Sequence, residues 1–99
     1  IAWCSFVEGK LEQAENYYQK LLLNDRSSID LMGLGHVKLC QGKTVEAMHN
    51  YRDSIKLNSG GFPAFFKLME QEEHLLFAHG VQAADLPIFI DQIRYLLDE

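Results

Sequence analysis

Four histidines and two cysteines carry the most versatile chemistry in this 99-residue chain: His36, His49, His74, His79, Cys4 and Cys40. Imidazole and thiolate ligate metals, move protons or attack carbonyls when spacing brings two or three of them together. His74 and His79 are five positions apart, about 140° around a helix, so they cannot chelate one ion jointly. Glu70 and His74, at i and i+4, share a helical face, which suits a surface electrostatic contact, and no third ligand follows at helical spacing. The cysteines are 36 positions apart with no Cys-x2-Cys motif. They read as buried thiols of a reducing compartment such as the cytoplasm, not as zinc ligands. Ser5 and Ser54 fall inside helical patterns, away from the sharp turn that presents a nucleophilic serine, and Gly60-Gly61 lacks the Lys and Ser/Thr of a phosphate loop. These patterns predict no enzyme, no metal site and no cofactor.

Composition excludes further classes. Fourteen acidic residues against nine basic ones give a net charge of −5, with the basic residues scattered instead of gathered on a stripe, which argues against nucleic acid and anionic lipid as partners. No apolar run reaches the roughly 18 residues of a membrane span. The length suits one domain with a single core.

The elements that must position any site are helical. Leu11, Ala14, Tyr18 and Leu21 form a stripe at i, i+3, i+7 and i+10, predicting an amphipathic helix over 11–23. Ser27 or Ser28 is placed to cap the next helix, 29–40, and Thr44 the one after it, which carries Val45, Met48, Tyr51 and Ile55 and ends near Leu57. Asn58-Ser59-Gly60-Gly61 breaks the chain, and Pro63 suits the first turn of a long helix over 62–78. Gly80 stops that helix, and Asp85 and Pro87 open a last one ending near Leu97. No segment alternates as a strand does. The fold expected is all-α, about six helices in antiparallel pairs.

One spacing organises these helices. Gly9-Lys10-x3-Ala14-x3-Tyr18 returns as Gly42-Lys43-x3-Ala47-x3-Tyr51, every element displaced by 33 residues. The second unit adds Leu31, Leu34-Gly35 and Lys38 ahead of its glycine. These residues resemble the tetratricopeptide repeat, W-x2-L-G-x2-Y followed by A-x3-F and P. Leu31 stands in the Trp place and Lys38 in the Tyr place, with Ser5 as its counterpart, while Arg26 and Ser59 replace the closing Pro. Only four of 25 aligned pairs are identical between the two units, but those four fall on the motif. The resemblance implies an αα superhelix in which 1–26 is a first repeat lacking its opening, 27–58 a second repeat, and 59–99 a divergent terminal pair or cap. In a cap, Glu70, Gln71, Glu72, Glu73, Asp91, Gln92, Asp98 and Glu99 would supply the polar outer face a solenoid end requires. The chain accordingly reads as the tail of a longer protein.

The family uses the concave face lined by the first helix of each repeat to hold peptides. By alignment to the motif, that face would carry Trp3, Ile29, Met32 and His36. Phe62, Phe66 and Met69, at i, i+4 and i+7, would continue it. Such an apolar, aromatic and Met-containing surface predicts a protein or peptide partner with apolar anchors. The family's clamp for acidic C-terminal tails has no counterpart, because its places hold Met32, Gly33 and His36. Two other roles fit the same residues: a structural end cap that stacks or forms a homodimer through the N-terminal face, and a helical accessory segment of a larger enzyme.

Overall fold

The computed structural model describes residues 1–98 and is all-helical. Glu99, one of the acidic residues assigned to the end cap, lies outside the described residues. The helices are α1 (Ala2–Val7), α2 (Leu11–Asn24), α3 (Ser28–Cys40), α4 (Thr44–Leu57), α5 (Gly61–Ala78) and α6 (Leu86–Leu97), with a single 3₁₀ turn at Ala83–Asp85 before the last. Among the described residues there is no strand and no helix long and apolar enough to cross a membrane.

The 33-residue spacing is a spacing of backbone geometry. Gly9 and Gly42 both adopt positive φ, +80° and +82°, a conformation that costs glycine nothing. Each closes the preceding helix with the same two bonds. Lys10 N–H donates to Ser5 O and Lys43 N–H to Lys38 O, both at 2.9 Å, while Gly9 and Gly42 donate to Phe6 O and Leu39 O. Lys10 and Lys43 then turn the chain with nearly identical dihedrals into helices of 14 residues each. The same closure recurs at Gly80, with φ +109° and Val81 N–H donating to Leu76 O at 3.0 Å. Here the step from Gly42 is 38, because α5 has 18 residues where α3 has 13. Phe89 follows Gly80 by nine positions, as Tyr18 follows Gly9 and Tyr51 follows Gly42. The third echo is thus present but displaced by five residues and carried by a different aromatic ring.

Helix α3 is the centre of the molecule, with every residue from Leu31 to Lys38 buried. Its two inner glycines admit one tyrosine each, on opposite sides. A Cβ on Gly33 would overlap the Tyr18 ring of α2, and a Cβ on Gly35 would come within 2.7 Å of the Tyr51 ring of α4. Glycine there lets α2 and α4 close on α3 from both sides. At the far end, Ser28 Oγ donates to Ser54 O at 2.8 Å and Ser54 Oγ to Ser28 O at 2.7 Å, tying the start of α3 to the end of α4 in an antiparallel pair.

Several local expectations change. Ser27 and Lys43 occupy the positions before α3 and α4, and neither makes a side-chain capping bond; Ser28 spends its hydroxyl on Ser54, and Thr44 is already helical. Asp85 precedes α6 without a capping bond either. The inner stripe of α4 is Ala47, Tyr51, Ser54 and Ile55, which leaves Val45 exposed, because Tyr51 must face Gly35. Of the two thiols expected to be buried, Cys4 is exposed; Cys40 is half-buried and pushed up to about 11 by burial.

Candidate functional site

The surface groove nearest the expected site lies where α1, α2, α3 and α5 converge. Trp3 and the small Ala2 form its α1 wall, Tyr18 and Leu21 its α2 wall, and Leu68 and Glu72 its α5 edge. Helix α3 contributes Ile29, Asp30, Met32 and Gly33. The groove's volume is about 430 Å³, open to solvent and large enough for one or two side chains of a partner. Its rim is unusually apolar for open surface: Ile29 is 75% exposed, Trp3 40%, and Leu21 and Ile1 are exposed beside them.

This geometry follows from the Gly33–Tyr18 contact. Because Gly33 has no side chain, the hydroxyl end of Tyr18 closes on α3 and floors the groove. Met32 is 4% exposed and adds thioether surface beneath. Burial first, then the negative charges of Asp30 and Glu72, raise the Tyr18 phenol, which stays neutral and puts both carboxylates within electrostatic reach of the groove floor.

The structure divides the residues named from sequence. Trp3, Ile29 and Met32 meet in the groove. Phe66 and Met69 line a different cavity, about 530 Å³, between α5 and α6, with Ile90 and Pro87 opposite and Glu70, Glu73 and Asp91 near the mouth. Phe62 stacks on Phe66 at 6.0 Å, and the Arg94 guanidinium covers its ring at 4.7 Å. His36 is wholly buried in the core. The sequence reading missed Tyr18, Gly33, Leu68, Asp30 and Glu72 as groove residues. Tyr18 was legible as a stripe residue and Gly33 only as a place where the acidic-tail clamp is missing, whereas the approach of α5 to α3 that brings Leu68 and Glu72 has no local sequence signal.

His36 links the groove to the core. Its Nδ1 lies 2.6 Å from the Tyr51 hydroxyl and its Nε2 2.8 Å from Glu72 Oε1. With Tyr51 donating to Nδ1 and Nε2–H donating to the carboxylate, all three groups are satisfied. Burial is the main reason the Tyr51 phenol is raised well above its ordinary range, so it remains a donor. Around this chain of bonds runs a ladder of rings: Trp3 to Phe6, Phe6 to His36, His36 to Tyr51, and Tyr51 to Phe65 and Phe89, each with centroids between 5.4 and 5.7 Å. A second polar cluster ties the turn end. Lys38 is held by Glu15 and by Glu46 at 3.4 Å, and Lys43 reaches Glu15 at 3.7 Å. Among the described residues no three His, Cys, Asp or Glu side chains are gathered where they could hold a metal ion.

No family model, curated protein or solved structure matches this chain.

Proposed function

We propose that the chain is a protein-interaction module of the tetratricopeptide kind, holding an extended or helical peptide in the groove between α1, α3 and α5. The observation that carries this reading is the convergence of Trp3, Ile29 and Met32, three residues placed on one face by the motif alignment, on a single open apolar groove floored by Tyr18. The repeated turn geometry at Gly9 and Gly42 supports the repeat reading, with the third turn at Gly80 as a lengthened variant. The domain order that goes with it is a partial repeat over 1–26, a full one over 27–58 and a divergent pair over 59–99, stacked as an αα superhelix.

Association here is driven by burying apolar surface, most of it on the exposed rim residues Ile29, Leu21 and Trp3. The test is selection of peptides on the immobilised chain, followed by titration against the wild type and Ile29→Glu. Ile29 is mostly solvent-exposed, so the variant keeps its fold while placing a charge on the apolar rim. Loss of at least tenfold in affinity in Ile29→Glu supports the groove; equal affinity removes it.

A second reading is stacking or self-association through the end faces. Its specific support is the outer side of α6, where Ile88 and the 78%-exposed Tyr95 border an apolar depression with Met48 and Leu96. Sedimentation of the wild type beside Tyr95→Glu decides it, since a dimer built on that face dissociates in the variant.

A further inference from the structure

We infer that the segment held in the Trp3–Leu68 groove carries a Lys or Arg side chain next to an apolar one, its cationic head meeting Asp30 and Glu72. The inference rests on the peptide-binding reading of that groove and adds the charge of its occupant. Nine of the eleven residues lining the groove have uncharged side chains; the other two, Asp30 and Glu72, are both acidic. Among the described residues neither is paired with a Lys, an Arg or the amino terminus, and Glu72 is held only by the hydrogen bond from His36 Nε2–H. That bond uses Oε1 and leaves Oε2 for another donor. His36 therefore acts as a positioning residue, fixing a carboxylate at the edge of an apolar cavity without neutralising it by a neighbouring lysine.

The cavity between α5 and α6 makes the contrast. Its acidic mouth already contains a cation, Arg94, which pairs with Asp91 at 3.8 Å and covers Phe62. The α1–α3–α5 groove has equivalent carboxylates and aromatic rings, Trp3 and Tyr18, and no cationic side chain among its lining residues. An ammonium or guanidinium beside Trp3 gains from the ring face as well as from the two carboxylates, and its aliphatic stem suits the apolar walls. An acidic peptide meets like charge in the same place.

The test is a random hexapeptide library selected on the intact chain, read by the emission of Trp3, the sole tryptophan. Selected peptides should carry Lys or Arg beside Leu, Met or Phe, and replacing that cation by norleucine should weaken binding about tenfold. Asp30→Asn/Glu72→Gln should abolish the difference between the two peptides, with Glu72→Gln retaining an oxygen to accept from His36. If that double variant does not fold, Asp30→Asn alone, at a half-exposed position, should reduce the difference. Selected peptides that lack charge or are acidic, yet are lost in Ile29→Glu, overturn this inference and leave the groove reading standing. Peptides indifferent to Ile29→Glu, or a dimer that Ile29→Glu dissolves, overturn both.

Discussion

Tyr18 and Tyr51 occupy the same place in two copies of one turn-and-helix unit, nine residues after a glycine of positive φ, and both rings are buried but in different company. Tyr51 is sealed. Its ring meets Gly35 on one side and Phe65 and Phe89 on the other, and its hydroxyl is bonded to buried His36. Tyr18 meets Gly33 in the same way, but no ring covers its other side, so it floors an open groove. The difference lies in the helices that come next along the chain. Helices α5 and α6 supply aromatic rings over Tyr51, while α3 offers Tyr18 only a glycine backbone and leaves the edge to Trp3 and Leu68. One packing device thus buries both rings, in one copy at the centre of an aromatic cluster and in the other beneath an open groove.

The largest effects should come from breaking the sealed copy. Tyr51→Ala removes a fully buried ring from the centre of the ladder and should cost about 4 kcal/mol, whereas Tyr18→Ala, whose buried ring has no aromatic partner among the described residues, should cost about 3 kcal/mol. Chemical denaturation measures both, and equal costs would erase the distinction. Gly35→Ala and Gly33→Ala each drive a methyl group into a tyrosine ring and should lose about 2–3 kcal/mol. Gly33→Ala should also tilt Tyr18 into the groove and weaken peptide binding, an effect Gly35→Ala should not share.

The hydroxyls sharpen the same contrast. Tyr51→Phe leaves His36 Nδ1 without its donor in a dry site, a loss of about 1–2 kcal/mol. Tyr18→Phe should change stability by less than about 0.5 kcal/mol, since its hydroxyl has no hydrogen-bond partner among the described residues.

A smaller, pH-dependent effect belongs to the turn end shared by both copies. The hydrogen bond from Lys38, opposed by burial and reinforced by Gln41 and Lys43, lowers the Glu15 carboxyl below its ordinary value of 4.5. A carboxyl depressed in the folded state contributes its stability fully above 4.5 and loses it as pH falls through the folded value. Burial works against the charge on Lys38, but Glu15 and Glu46 outweigh it and raise the ammonium, so that contribution is lost only as pH rises above 10.5 and through the folded value. Thermal melts between pH 7 and pH 3 should therefore show a steeper fall for the wild type than for Glu15→Gln, which at pH 7 should already be less stable by about 1–2 kcal/mol.

Most of the helices were legible because each is written in local terms: Gly42 and Gly80 end helices, Pro63 and Pro87 begin them, and the α2 stripe turns Ala14 and Tyr18 inward, although its last member, Leu21, is exposed. The site was legible only in part. Motif alignment named Trp3, Ile29 and Met32 together; helical phase sets Ile29 and Met32 on one side of α3, and the packing of α1 brings Trp3 beside them. The alignment also placed His36 there, although the nearness of Tyr51 and Glu72 draws the imidazole into the core. Phe66 and Met69 line another cavity because α6 packs along α5 and brings Pro87 and Ile90 against them, a tertiary contact with no local sequence signal. Lys38, in the place where the family pattern has tyrosine, reads as a defect in sequence; in the fold it is a buried ammonium joining α2, α3 and α4 through Glu15 and Glu46.

The central claim is that the open Tyr18 copy, and not the outer α6 face, is where a partner binds. The direct measurement is Trp3 fluorescence titrated with a library-selected peptide against the wild type, Ile29→Glu and Tyr95→Glu. Saturable emission changes of equal affinity are expected in the wild type and Tyr95→Glu, with at least tenfold weaker binding in Ile29→Glu. Binding lost in Tyr95→Glu and retained in Ile29→Glu would contradict the claim.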